Sequence, residues 1–269
     1  MALQGVFKKK YLIFAVLLAG IYLFCRANYE VPVLMYHNVG ETKEKSSLNV
    51  TPETFERQME FLKLHRYNVV PLADLLEMLK AKKKVPTKTV AITFDDGFLD
   101  NIQHAFPVLR TMNFPATIFM ITRNINEKGW LSEEDLRILD ESGVAIGSHT
   151  VNHAYLPDLK TDDAVFELEE SKKKLEKILH HPVALFSYPA GGFNGYTRAL
   201  VIDQGYAGAV TTNRGLTKHD PYALHRVKIS EGNGSLFNFW IKVSGLYHLG
   251  KKRIRVDNPP ARLKGDNGA

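Results

Sequence analysis

Two short segments of the sequence combine side chains that could hold a metal ion and activate water. The first is T-F-D-D-G at 93–97, where two adjacent acids, Asp95 and Asp96, follow the apolar run 90–92. The second is S-H-T-V-N-H at 148–153, where His149 and His153 are four residues apart. In a helical turn this separation places both imidazoles on one face.

The two segments are more informative together than apart. One carboxylate and two imidazoles form a three-ligand set that leaves a coordination position for water, as in catalytic zinc sites. Two acids at the end of a buried strand are costly unless a cation compensates them. Adjacent strand residues point to opposite sides, so Asp95 and Asp96 can have different roles. We expect a metal site with a spare carboxylate; the alternatives are a simple turn at 95–97 and packed histidines.

Strand-like and helix-like segments alternate from Val31 onward. We predict strands at 33–36, 68–70, 89–94, 116–121, 144–148, 184–188, 207–212 and 224–229. Helical patterns separate most of them, with capping signals at Thr51 and Ser132. This alternation predicts a mostly parallel sheet in an α/β fold. We expect a distorted (β/α) barrel of about seven to eight strands, with an open doubly wound sheet as the alternative. Either fold places the chemistry at the carboxyl ends of the strands.

The N-terminal segment has the pattern of an export signal. Lys8, Lys9 and Lys10 precede an uncharged apolar run from Tyr11 to Cys25. This run is shorter than the ~20 apolar residues of a full membrane span. We expect 1–28 to be a signal or membrane anchor, with the anchor favoured, and the remaining chain to lie outside the cytoplasm. The alternative product is a protein secreted after cleavage.

The chain as a whole has an ordinary globular composition, which excludes collagen, low-complexity disorder and a multi-span membrane protein. Its net charge of +6 is spread along the chain and gives no indication of nucleic-acid binding. The single cysteine, Cys25, leaves the rest of the chain without disulfides. We predict one domain at 29–250, followed by a basic, disordered tail at 251–269.

The motifs at 93–97 and 149–153 resemble the first two motifs of the polysaccharide deacetylases, also called carbohydrate esterase family 4 or the NodB-homology group. The segment F-S-Y-P-A-G at 186–191 resembles their third motif in a variant form. V-L-M-Y-H-N-V at 33–39 is similar to the branch that includes biofilm poly-N-acetylglucosamine deacetylases. The resemblance extends from about Val31 to about Ser230.

The resemblance implies a metal site and a base. Asp96, His149 and His153 would bind a divalent metal; zinc is expected, while cobalt, nickel and iron also suit this ligand set. Asp95 would be the general base that takes a proton from the attacking water.

The resemblance also implies an oxyanion site and an acid, and here this sequence departs from the family pattern. The oxyanion would be held by the metal and by a backbone N–H near Tyr188 to Ala190. The third motif usually opens with an arginine that orients the base, but this chain has Ser187, and Arg226 is our candidate substitute. For the acid that protonates the leaving amine we favour His37, with His225 as the alternative.

The function implied is removal of N-acetyl groups, with release of acetate, from a polysaccharide that contains N-acetylglucosamine. Two alternatives stay open: an inactive carbohydrate-binding module on the same fold, and an amidohydrolase on a lipid-linked or small acetylated sugar. Trp130 and Tyr155, in loops after strands, are weaker candidates for stacking on sugar rings. The sequence does not specify the glycan.

Overall fold

The computed structural model describes residues 2–40, 48–212, 220–231 and 235–250. The strands are β1 (Val33–Tyr36), β2 (Asn38–Val39), β3 (Asn49–Val50), β4 (Asn68–Val69), β5 (Thr89–Phe94), β6 (Ala116–Met120), β7 (Val144–Ser148), β8 (Leu185–Ser187), β9 (Gly208–Thr211), β10 (Leu224–His225) and β11 (Val227–Lys228). The α-helices are α1 (Ala2–Asn28), α2 (Pro52–Leu64), α3 (Leu72–Lys80), α4 (Phe106–Met112), α5 (Glu133–Glu141), α6 (Thr161–Leu179), α7 (Gly195–Asp203) and α8 (Leu236–Val243). The tail predicted at 251–269 lies outside the described residues.

The main sheet is a nearly closed parallel barrel. Its strand order is β10-β9-β8-β7-β6-β5-β1-β11, with β4 paired to β5. β10 and β11 are consecutive pieces of one run interrupted at Arg226; the first piece pairs with β9 and the second with β1. This run therefore links the two edges of the sheet. The prediction of a distorted barrel of about seven to eight strands is confirmed.

The run β10–β11, which joins the two edges of the sheet, is called the seam of the barrel. Outside the seam, the predicted strands agree with the structure to within two residues at each end. The run predicted as one strand at 224–229 divides at Arg226, because it changes its pairing partner there. The sequence analysis did not predict the small β2–β3 ladder, since strands of two residues are too short to show an alternating pattern.

The helices begin where the capping signals predict. The Thr51 side chain accepts a hydrogen bond from the Thr54 N–H at 3.2 Å, and Pro52 occupies the first turn of α2. Ser132 and Asp135 form a reciprocal capping box at the start of α5. Such caps satisfy N–H groups that have no partner within the helix.

An aromatic cluster fixes the strand ends that precede the candidate site. Tyr36, Phe55 and Phe94 are almost fully buried, and their ring centroids are 5.2 to 5.8 Å apart. Phe55 belongs to α2, whereas Tyr36 and Phe94 are the last residues of β1 and β5. The cluster therefore packs α2 against two neighbouring strands immediately before His37 and Asp95.

The N-terminal helix α1 includes the predicted export segment. Among the residues that the structure describes, no helix is both long enough and apolar enough to cross a membrane.

We predict that Phe55→Ala lowers the free energy of unfolding by about 3–5 kcal/mol, because it leaves a cavity among tightly packed rings. Denaturant titration of the purified protein measures this loss. Phe166→Ala is the matched control, since Phe166 on α6 is 52% exposed; we expect a change of about 0.5 kcal/mol or less. Equal losses in the two variants would contradict the packing role of the cluster.

Candidate active site

The candidate residues converge because their strands are parallel neighbours. β5, β7 and β8 end at Phe94, Ser148 and Ser187, and parallel strands present their carboxyl ends at one edge. Asp95 and Asp96 therefore lie at the same mouth of the barrel as His149. We call this edge of the barrel the mouth.

Asp96, His149 and His153 form the candidate metal centre. Asp96 Oδ1 is 3.5 Å from His149 Nε2 and 3.7 Å from His153 Nε2, and the three ligand atoms lie within 4.8 Å of one another. Asp96 Oδ1 is buried and has no hydrogen-bond partner among the described residues. A buried carboxylate oxygen without a donor, facing two imidazole nitrogens, is a donor set that a divalent cation would satisfy.

Hydrogen bonding and burial prepare both imidazoles to act as ligands. His149 Nδ1 lies 2.7 Å from the Ser187 carbonyl oxygen, which can only accept, so Nδ1 carries the proton and Nε2 presents a lone pair. Burial lowers the pKa of His149 to about 4, against the opposing effect of Asp95. Burial also lowers the pKa of His153. Both rings are therefore neutral near pH 7.

Asp95 is held by a forked ion pair with Arg226. The Arg226 guanidinium donates to Asp95 Oδ1 at 2.6 Å and to Oδ2 at 2.5 Å. The same group donates to the Thr93 hydroxyl at 3.1 Å and to Ser187 Oγ at 2.9 Å. Both charged side chains are buried. Arg226 therefore orients Asp95, and its guanidinium lies beside the side chain of Ser187.

The two adjacent carboxylates have opposite electrostatic environments. Burial alone would raise the pKa of Asp95, but the Arg226 guanidinium, aided by His149, outweighs burial and holds this pKa well below its usual range. Burial, together with the negative charge of Asp95, raises the pKa of Asp96 to about 7. Arg226 therefore compensates one acid, while the second lacks a positive partner of comparable proximity.

The two candidate acids occupy different surroundings. Burial lowers the pKa of His37 to about 4, and the strongest opposing influence is the charge of Asp95. His37 therefore lies within electrostatic reach of the base. The ring of His225 instead contacts His248, with centroids 4.2 Å apart. His225 directly precedes Arg226, and successive residues of a strand face opposite sides.

The two residues predicted to hold the oxyanion, Tyr188 and Ala190, differ in the hydrogen bonding of their amides. The Tyr188 N–H donates to the Val210 carbonyl at 3.1 Å, and the Tyr188 hydroxyl donates to the Tyr222 carbonyl. For the Ala190 N–H, the structure shows no acceptor within the described ranges. Of the two residues that the sequence analysis named, Ala190 is thus the one with a free donor. Its φ of 51° turns the backbone at this point.

The two aromatic candidates lie in loops at the mouth. Trp130 stacks on Phe98 with ring centroids 4.5 Å apart. Tyr155 is 45% exposed, and its ring covers Gly192 so closely that a Cβ there would lie 2.0 Å from the ring. Tyr155 therefore borders the third motif, where an exposed ring could contact a sugar.

The sequence analysis missed Glu167, which fixes the loop that carries His153. This buried α6 carboxylate accepts the N–H groups of Val151 and Asn152 at 2.8 and 2.9 Å, and the Asn152 side-chain amide at 2.6 Å. The signal was present: Glu167 lies on the same side of α6 as the buried Ala164, Leu168 and Ser171. A carboxylate on the buried side of a helix needs hydrogen-bond donors from neighbouring segments.

Unusual backbone angles are also found at the mouth. Asp96, Thr150, His153 and Ala190 have φ values of 73°, 67°, 56° and 51°. Residues other than glycine rarely adopt these angles, and such strain is typical of functional sites. At Asp96 and His153, these angles accompany the close approach of the two side chains.

The site thus combines, at the mouth of a nearly closed parallel barrel, an Asp-His-His cluster that could hold a metal ion and a second acid bound by an arginine. The family model for polysaccharide deacetylases matches residues 82–209. The homologue YxkH of Bacillus subtilis is 38% identical over 216 residues, covering 79% of this chain and 76% of its own length. The chain therefore belongs to the polysaccharide deacetylase family, which confirms the resemblance drawn from the motifs.

Two further relatives add detail. The poly-β-1,6-N-acetyl-D-glucosamine N-deacetylase of Staphylococcus aureus is 28% identical over 167 residues, which cover 57% of each chain. The structure of the Streptococcus pyogenes deacetylase PplD in complex with acetate superposes with a TM-score of 0.71 at 26% identity, covering 78% of this chain and 98% of PplD.

We predict that Glu167→Gln weakens divalent-metal binding about 10- to 100-fold, as substitutions behind metal ligands typically do. The neutral amide would accept the loop N–H groups less strongly, and His153 would lose its fixed position. Calorimetric titration of the metal-stripped protein with Zn²⁺ measures the affinity. Glu170→Gln is the matched control, because Glu170 is exposed on the same helix; unchanged affinity in Glu167→Gln would exclude this positioning role.

Proposed function

We propose that this protein is a metal-dependent N-deacetylase of polysaccharides that contain N-acetylglucosamine. The observation that carries the proposal is that two adjacent acids have different partners: Asp96 faces His149 and His153, while both oxygens of Asp95 are bound by Arg226. A hydrolytic metal site needs both a ligand set and a separate base. The named substrate of the Staphylococcus aureus relative supports the choice of polymer.

The proposed mechanism assigns one task to each group at the mouth. Asp96, His149 and His153 would hold a divalent cation, which lowers the pKa of water and polarises the acetamide carbonyl. Asp95, kept ionised by Arg226, accepts the proton of the attacking water. Arg226 keeps that carboxylate from rotating away.

The remaining groups act on the tetrahedral intermediate. The Ala190 N–H donates a hydrogen bond to the developing oxyanion. His37, which is neutral at rest and lies in the field of Asp95, would pass the proton taken from the water to the leaving amine, so that acetate and a free amino sugar are released. Tyr155 provides an exposed ring at the edge of the mouth against which a sugar ring can pack.

The variant third motif does not argue for an inactive binding module. That alternative rests on the missing arginine at Ser187. Arg226 reaches the same carboxylate from the seam and contacts Ser187 Oγ at 2.9 Å. The lipid-linked and small-sugar alternatives share this chemistry, so a panel of acetylated substrates distinguishes them from the polymer.

We further propose that the catalytic domain is displayed outside the cytoplasm. The support is the sequence pattern of Lys8, Lys9 and Lys10 followed by an apolar run. A polymer of the cell surface would be accessible to the mouth from that side.

We predict that Asp95→Asn lowers the rate of acetate release from an N-acetylglucosamine oligomer about 10²- to 10⁴-fold, because no base remains for the water proton. Enzymatic detection of acetate measures the rate. Asp203→Asn, at an exposed acid of α7, is the matched control. A chelator should abolish the wild-type activity and Zn²⁺ or Co²⁺ should restore it, whereas neither metal should rescue Asp95→Asn. Wild-type turnover in Asp95→Asn would refute the assigned base.

We predict that Arg226→Ser removes most of the activity and that the double variant Arg226→Ser/Ser187→Arg regains part of it. Ser187 Oγ is 3.4 Å from Asp95 Oδ2, so a guanidinium that starts from position 187 reaches the same carboxylate. The kcat of both variants for the acetylated oligomer measures the recovery. If the single and double variants have equal kcat values, orienting Asp95 is not the role of Arg226.

A further inference from the structure

A basic loop lies at the end of the barrel opposite the mouth. It spans residues 80–88, connects α3 to β5, and contains five lysines and no acid: Lys80, Lys82, Lys83, Lys84 and Lys88. Lys82, Lys83 and Lys84 are exposed. Because the loop leads into the first residue of β5, it belongs to the end where the strands begin. β5 has six residues, so the mouth lies at least about 20 Å away.

A cavity of about 900 Å³ opens beside this loop. Its walls include the apolar side chains of Tyr29, Val31 and Leu224, and its rim includes Arg26 and the lysines at 82–84. Arg26 belongs to the last turn of α1 and directly follows the apolar run 11–25. The cavity therefore combines an apolar interior with cations, at the place where the N-terminal helix meets the domain.

Helix α8 has an apolar side that no described residue covers. Phe237, Trp240 and Ile241 are 65%, 49% and 38% exposed, and their spacing of three and four residues places them on one side of the helix. The opposite side is packed, since Phe239 and Val243 are almost fully buried. The exposed rings of Phe237 and Trp240 lie next to each other, 5.7 Å apart. A soluble surface helix would carry polar residues at these positions.

Helix α8 lies at the same end of the barrel as the basic loop. The Gly245 carbonyl, just after α8, accepts the Glu30 N–H at 2.8 Å, three residues before β1 begins. The ring of Tyr29, which also lines the cavity, packs directly on Gly245. At its start, α8 places Leu236 in a recess with Leu64, the last residue of α2. We call the loop 80–88 and the exposed side of α8 the basal surface.

We propose that the basal surface docks on an anionic phospholipid bilayer, with the catalytic mouth pointing away from the membrane. Lysine clusters are attracted to anionic headgroups, and exposed tryptophan and phenylalanine insert at the headgroup level. A second copy of the chain fits less well, because its own lysines would face the loop. The basal surface also adjoins the end of α1, so both would contact the same lipid surface.

The two tryptophans of the chain provide the test, because they lie at opposite ends of the domain. The full chain is reconstituted in vesicles of phosphatidylglycerol and phosphatidylcholine that contain lipids brominated on the acyl chain. Trp130→Phe leaves Trp240 as the fluorophore, and Trp240→Phe leaves Trp130. We expect at least a twofold greater quenching for Trp240 than for Trp130. Equal quenching of both, or stronger quenching of Trp130, would overturn the proposal.

A charge reversal tests the lysines in the Trp130→Phe background. Lys82→Glu/Lys83→Glu/Lys84→Glu should remove most of the quenching of Trp240, and vesicles of phosphatidylcholine alone should have the same effect. The control Lys128→Glu/Lys173→Glu/Lys177→Glu changes the net charge equally at exposed lysines elsewhere. Identical quenching in the two triple variants would refute the role of the loop. Acetate release from a soluble oligomer in detergent, with Trp130 retained, should be unchanged in the first triple variant, which separates this proposal from the deacetylase assignment.

Discussion

The buried ion pair between Arg226 and Asp95 connects the point where the barrel nearly closes with a carboxylate of the candidate active site. Arg226 occupies the point where one run of chain leaves β9 and begins to pair with β1. Its guanidinium donates hydrogen bonds to both carboxylate oxygens of Asp95. Burying two charges is expensive, and only good geometry with additional hydrogen bonds compensates the cost. Thr93 and Ser187 provide those bonds, so the residue at which the chain changes its pairing partner is also the one that orients Asp95.

This pair also determines the electrostatic character of the neighbouring acid. Arg226 balances the charge of Asp95, and the imidazoles of His149 and His153 are neutral because of burial. An ionised Asp96 would therefore leave the cluster with a net charge near −1. A divalent cation between Asp96 and the two imidazoles would compensate that charge and occupy the orphaned oxygen. The proposed ligand set and the proposed base are thus two consequences of one distribution of charge.

Most of the barrel could be predicted from sequence, because short apolar segments and capping residues are local signals. The candidate site could also be located, since Asp95, Asp96 and His149 follow strands of one parallel sheet. Glu167 could not be linked to the loop that carries His153 in the same way, because its hydrogen bonds to Val151 and Asn152 depend on how α6 packs against β7. The hydrogen bond from the Tyr188 N–H to Val210 could not be predicted for a similar reason. Whether an N–H at the end of a strand is free depends on the register with β9, which no local pattern specifies.

The position of Arg226 shows why geometry is a better guide to such sites than motif position. The third motif of this chain has a serine where a guanidinium is expected, and a reading confined to that motif suggests a defective enzyme. In a nearly closed parallel barrel, however, side chains from several strands converge on the mouth. A guanidinium from the seam can therefore perform the task of one from β8, provided that it reaches the same carboxylate. Ser187, which is small, leaves the space that the Arg226 side chain needs, so the two departures from the pattern act as one matched exchange.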